Sequence, residues 1–147
     1  MDASDVRPSD VFTALVELCE KFRTPGDIEC RAALSASHMR FPPELGAVLY
    51  QAIRELLANV RQHARASRVQ VASSSGLDGT VRLSVTDNGV GFTRPWREAT
   101  PFAASGGIGL WSIDQRLRGF GAYLDVESST NGTRATLVVP KPALIPQ

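Results

Sequence analysis

Little in this chain stands out by composition, and most of what is scarce excludes something. There are only two cysteines, Cys19 and Cys30, with no C-x-x-C spacing and no pair of histidines beside them. That excludes a zinc cluster or a disulfide framework, and a reduced cytoplasmic setting is the simpler expectation. No apolar run approaches the ~18–20 residues of a membrane helix. The opening MDASDVRPSD is polar and acidic, unlike a signal peptide, so the anchor of any membrane-bound parent lies elsewhere. Net charge is missing too. Sixteen basic residues nearly cancel fifteen acidic ones, leaving no field that draws the chain to nucleic acid or anionic lipid. Any anion site must therefore be local. What remains, 147 residues at 43% hydrophobic and 21% charged, suits one globular domain.

Hydrophobic spacing orders the elements. Residues 8–23 read as a helix, with Val11, Leu15, Leu18 and Phe22 at three- and four-residue steps behind Ser9 or Asp10 as N-cap. Thr24-Pro25-Gly26-Asp27 stops it. Ile28, Cys30, Ala32 and Leu34 then alternate as one buried face of a strand, and 35–43 reads as a loop. The longest periodic stretch, 44–66, carries Leu45, Val48, Leu49, Ala52, Ile53, Leu56, Leu57 and Val60 on one face and is the central helix. Strands follow at 68–73 and 81–87 around the turn-like SSSGLDG, then a loop at 93–105 and a helix opened by GGIGL. Two last strands, 122–127 and 134–139, flank STNGT. Three helices and five strands, mixed along the chain, predict an α+β two-layer sandwich: one mixed sheet with the helices on one face. The whole chain, 1–147, reads as a single domain, with a core over 8–140 and a proline-bearing tail over 141–147.

Three clusters carry chemistry. Glu55 and Asn59 stand four apart and share a flank of the central helix, away from Arg54, Arg61 and Arg65. The amide oxygen of an asparagine is a hard neutral ligand for Mg²⁺, and a carboxylate one turn away can orient or deprotonate a nucleophile. Alone, such a pair is ordinarily a solvated face. The second cluster, Asp87-Asn88-Gly89-Val90-Gly91-Phe92, starts where a strand ends. That places a carboxylate where it could meet the exocyclic amino group of a base, with glycines that permit close backbone approach. Asn-Gly is also the commonest hairpin signal. The third, Gly106-Gly107-Ile108-Gly109-Leu110, opens a helix, where free N–H groups favour phosphate. It is neither a Walker loop nor a dinucleotide fingerprint.

Taken in order, helical E-x-x-x-N, strand-terminal DNGVGF, a loop, GGIGL and a late NGT resemble the GHKL ATPase superfamily shared by gyrase, heat-shock chaperones, histidine kinases and mismatch-repair proteins, over nearly the whole chain. LYQAIRELLANVRQHARAS is similar to the N box of the histidine kinases related to nitrate/nitrite sensors. The resemblance implies a Bergerat fold, ATP and Mg²⁺ as cofactors, and phosphoryl transfer to a histidine on a separate helical phosphoacceptor domain, with a response regulator downstream. It implies no nucleic-acid or membrane contact by this domain. It puts Mg²⁺ at Asn59, proton transfer at Glu55, the adenine amino group at Asp87 and the base pocket at Gly91. Gly107 and Gly109 approach the phosphates, Gly89 and Leu110 belong to the same two motifs, and Thr133 supports Asp87. His63 matches the K-H-A pattern and packs near the pocket. One departure is plain: the cation usual three residues after the asparagine is Gln62 here. Arg61, or Arg94 or Arg97 from the lid, would have to replace it, or phosphate is held less tightly. Trp96 and Phe102 could cover nucleotide or dock the loop on the core. A serine kinase of the anti-sigma-factor type and a non-catalytic nucleotide-binding docking module are the competing readings.

Overall fold

The structure, a computed structural model, describes residues 8–23, 28–35, 39–91, 107–141 and 145–146. Helix α1 (Pro8–Phe22) leads to strands β1 (Glu29–Ala33) and β2 (Met39–Arg40), then to α2 (Pro43–Asn59), which continues as a π-helical turn, Val60–Ala64. Strands β3 (Arg68–Ser75) and β4 (Val81–Asp87), helix α3 (Gly107–Arg118), and strands β5 (Tyr123–Ser129), β6 (Gly132–Val139) and β7 (Ile145–Pro146) complete the chain. The main sheet has the order β1-β3-β4-β6-β5. β1 runs parallel to β3 because α2 is the crossover between them, and every other pairing is antiparallel.

Three helices cover one face of this open, mixed five-stranded sheet, as the alternation of apolar residues requires. Val81, Leu83, Val85 and Asp87 of β4 are all buried, while Arg82 between them is exposed. Helix α2 is the hub. Pro43 occupies its first turn, where a missing N–H costs nothing, and Glu44 adds favourable charge there. Leu45, Leu49, Ala52, Ile53, Leu56 and Leu57 are buried along it. On α1 the buried stripe is Val11, Phe12, Leu15 and Cys19, with Leu18 and Phe22 only partly covered. The Cys19 thiol donates to Cys30 across α1 and β1, which raises its own pKa well above the ordinary range and lowers that of Cys30. Both cysteines are free and buried, as a chain without a disulfide framework requires.

Helix α3 ends in a Schellman turn. Ala122 N–H reaches the Leu117 carbonyl at 3.0 Å and Gly121 N–H reaches Arg118 at 3.1 Å, with Gly121 at φ 78°. The buried Asp114 carboxylate then joins this helix to the sheet, accepting from Leu124 N–H at 2.9 Å and from Arg118 Nε at 2.7 Å.

Two expectations change. The segment read as a loop and the tail pair with each other, Met39–Arg40 against Ile145–Pro146, in a two-stranded antiparallel ladder. Two residues are too few to show any periodicity. The central helix also widens after Asn59, and Arg65 leaves it in a left-handed conformation at φ 52°. Truncating the hub is the direct test of this core. Leu49→Ala is expected to cost about 2–5 kcal/mol of unfolding free energy in urea denaturation, because Leu49 is fully buried.

Candidate functional site

The end of α2 and the start of α3 meet at the first cluster. Glu55 and Asn59 lie one turn apart on the flank that faces α3. A Cβ at Gly109 would stand 2.8 Å from Glu55 Oε1, so the carboxylate lies directly against the opening of α3. Leu110, the next residue, is buried in the core and anchors that opening. The Nδ2 of Asn59 is buried with no hydrogen-bond partner among the described residues. Leaving a buried amide unpaired costs about 1–3 kcal/mol, so a polar group kept in that state points to a ligand.

The second cluster forms at the end of β4. Asp87 is 8% exposed and faces the helix layer. Its carboxylate accepts Gly89 N–H at 2.8 Å and the backbone N–H of Thr133, its register partner on β6. Burial outweighs these two bonds and pushes the Asp87 carboxyl above its ordinary value. Thr133 Oγ1 is 2.9 Å from Ser128 Oγ on β5, so Asp87, Thr133 and Ser128 form a polar row across three adjacent strands. A depression of about 460 Å³ opens here, lined by these three residues and by Ser129 and Gly132. Its wall also takes in Thr86, Glu127 and Arg134, which face the other side of the sheet, so it wraps around the sheet's end.

Two glycines hold the motif against the β5–β6 hairpin. Gly91 has φ 76°, and a Cβ there would overlap the Ser129 carbonyl oxygen and stand 2.7 Å from Ser128 Oγ. Gly132 has φ 139°, and a Cβ there would overlap the Asp87 carbonyl oxygen. The neighbouring Asn88 closes the other side. Its Oδ1 accepts Ser67 N–H at 3.0 Å and Arg68 N–H at 2.9 Å, and its Nδ2 donates to Ser67 Oγ at 2.9 Å. Asp87-Asn88-Gly89 is therefore no hairpin turn. The strand beside β4 on its far side is β6, from much later in the chain.

The structure thus brings Glu55 to Gly109, and Asp87, Gly89, Gly91 and Thr133 to one end of the sheet. Gly107 begins α3, and His63 lies in the π-helical turn. Arg61 is the exception. Two residues beyond Asn59, it faces nearly the opposite side of the helix, donates to the Phe22 carbonyl and stacks over the Phe22 ring with its guanidinium carbon 4.3 Å from the centroid. In this structure Arg61 is thus engaged with the end of α1, on the side of the helix away from Asn59. The expected lid at 93–105, with Arg94, Trp96, Arg97 and Phe102, lies outside the described residues, as do Gly106 and His38. Sequence reasoning missed Ser128 and Gly132. A serine at the end of a strand carries no signal by itself, whereas Gly132 could have been found in the Asn-Gly-Thr turn.

A family model described as the histidine kinase-, DNA gyrase B- and HSP90-like ATPase matches residues 45–143, more than half of the chain. The sensor histidine kinase MctS of Rhizobium johnstonii is 33% identical over 146 residues, which is 95% of this chain but 30% of that protein. The chain thus spans less than a third of that relative's length. The histidine kinase domain of a blue-light activated kinase from Erythrobacter litoralis superposes with a TM-score of 0.70 at 25% identity, covering 88% of this chain and 60% of that one. The catalytic domain of the histidine kinase ThkA shares the fold end to end, with a TM-score of 0.74, 18% identity and full coverage of both chains. By the extent of the family match, the identity to a sensor histidine kinase and the shared fold, the chain belongs to the histidine kinase-, DNA gyrase B- and HSP90-like ATPase family, as an ATP-binding domain of the sensor histidine kinase type.

Proposed function

We propose that this chain binds Mg·ATP and passes the γ-phosphoryl group to a histidine on a separate helical domain, of the same or a sister chain, at the cytoplasmic head of a two-component signalling pathway. The observation that carries the reading is Asp87, a desolvated carboxylate at the end of a strand beside two obligatory glycines. A buried carboxylate able to accept one more hydrogen bond suits the exocyclic amino group of adenine, and Thr133 with Ser128 holds its edge of the pocket. The Asn59 side-chain oxygen would suit Mg²⁺ as a hard neutral ligand, and its unpaired Nδ2 would be left to donate to a phosphate oxygen. Mg²⁺ bound there would neutralise phosphate charge. The backbone at Gly107 and Gly109 would let the phosphates approach the start of α3.

In the transfer itself the γ-phosphorus exchanges its bond to the β–γ bridging oxygen for one to an imidazole nitrogen, and ADP leaves. Glu55 would hold, and then take, the proton on the other ring nitrogen. Positioning supplies most of the rate in such chemistry. A response regulator would receive the phosphoryl group next. One observation favours a binding module without chemistry: the position where the resemblance implies a cation carries Gln62, and Arg61 beside it is engaged with Phe22.

Calorimetric titration with a nonhydrolysable ATP analogue tests the pocket. Asp87→Asn is expected to weaken binding on the order of ten- to a hundredfold, the worth of a charge-assisted hydrogen bond. The sign of the pH effect follows from the raised carboxyl. Nucleotide affinity falls on acidification through a pKa above the ordinary ~3.9, because the ionised form is the acceptor. The same shift means that the ionised carboxylate costs folding stability near neutrality, a cost relieved as pH drops through the folded-state value. Asp87→Asn should therefore keep the thermal midpoint at pH 7 while losing nucleotide. A lower midpoint would make Asp87 a structural residue. Asn59→Ala is expected to leave analogue binding indifferent to Mg²⁺ in the same titration. Mixing the chain with a phosphoacceptor helical domain and ATP should yield acid-labile, base-stable phosphate on that domain. Bound ATP without transfer would support the docking reading, and acid-stable, base-labile phosphate would point to serine.

A further inference from the structure

The π-helical turn after Asn59 is where this chain departs from a plain helix. Val60 N–H is shared between the carbonyls of Leu56 and Leu57, the last point at which the regular helix ends, and Val60–Ala64 follow in the wider winding. Such turns are rare and occur mostly as single-turn bulges of α-helices, frequently at functional sites. This one is tied to α1. Arg61, inside the turn, donates to the carbonyl of Phe22, the last residue of α1, and sits over the Phe22 ring. A helix's last carbonyls have no partner within the helix and carry its negative end, so a guanidinium is well matched to that place. The ring adds a cation–π contact. At the near end of the turn stands Asn59, whose buried amide nitrogen has no partner among the described residues, so no side-chain hydrogen bond on that atom sets its direction.

We propose that Arg61 is the positioning residue for Asn59: by clamping the π-helical turn to the end of α1, it sets the direction in which the Asn59 amide meets the metal–phosphate group. This rests on the Mg·ATP reading above and deepens it. Arg61 then supports the phosphate site through the backbone of the turn, on the opposite side of the helix from the ligand, and its side chain touches no phosphate. It also links α1 to the metal site, because a shift of α1 along α2 pulls on the turn that begins at Asn59.

The test compares the unaltered chain with Arg61→Ala and Arg61→Lys by amide hydrogen exchange without nucleotide and by analogue titration with and without Mg²⁺. Exchange at residues 60–64 should quicken about tenfold in Arg61→Ala, with β4 and β6 unchanged, and return most of the way in Arg61→Lys, which keeps a charged donor. The dissociation constant with Mg²⁺ should rise severalfold in Arg61→Ala and be rescued by Arg61→Lys, while the value without Mg²⁺ stays. Unchanged exchange at 60–64 would overturn the clamp whether or not nucleotide binds. Faster exchange with an unaltered Mg²⁺ response would overturn the positioning role. Equal weakening with and without Mg²⁺ would assign Arg61 to the phosphates instead. An unaltered chain that binds no analogue would overturn the Mg·ATP reading and the positioning role with it, and the exchange comparison would still decide the clamp.

Discussion

The carbonyl of Asp87 and the Cα of Gly132 approach so closely that no side chain fits between them, and one strand away Gly91 meets the Ser129 carbonyl in the same manner. These two contacts seat the segment after β4 on the β5–β6 hairpin. A Cβ at either position would drive the two backbones apart, and both glycines also hold a positive φ that other residues adopt only with strain. The Asp87 carboxylate depends on this closeness. It receives Thr133 N–H from the strand beside it and Gly89 N–H from its own loop, which together offset part of its burial. The result is a largely buried carboxylate that accepts two backbone N–H groups and keeps acceptor capacity for a further donor.

Helix α2 supplies the other half of the site through an economy of faces. Its apolar stripe joins α1, α3 and the sheet into one core, which fixes the flank bearing Glu55 and Asn59. The opening of α3 is drawn against Glu55 because Gly109 has no side chain, and Leu110 then plunges into the core. The same helix carries Arg61 into the seam between α1 and α2, where it meets Phe22.

Much of this was legible beforehand, for physical reasons specific to each piece. The stripe from Leu45 to Val60 repeats often enough to declare both a helix and its buried face, and the alternation over Val81–Asp87 declares a strand. The glycine motifs were legible as sites of close approach, since two glycines two residues apart exceed the needs of one turn. Cys19 and Cys30 were legible as unlinked but not as neighbours, because α1 and β1 meet only in three dimensions. The β2–β7 ladder, two residues long on each side, lies below any periodic signal. On α1 the three- and four-residue spacing points to Leu18 and Phe22, whereas the fold buries Phe12 and Cys19 more deeply, a rotation of the stripe that depends on where α2 lies.

The sequence by itself determined the two-layer architecture, the order of elements and the family, because these rest on local periodicity and on motifs whose spacing survives in one dimension. The tertiary structure alone decided the partners: that Thr133 and Ser128 flank Asp87, that Gly132 must be glycine because of Asp87, and that Arg61 turns to Phe22. Those facts depend on strand register and on the angle between helices, which are set by how whole faces pack and leave no trace in the spacing of the residues concerned.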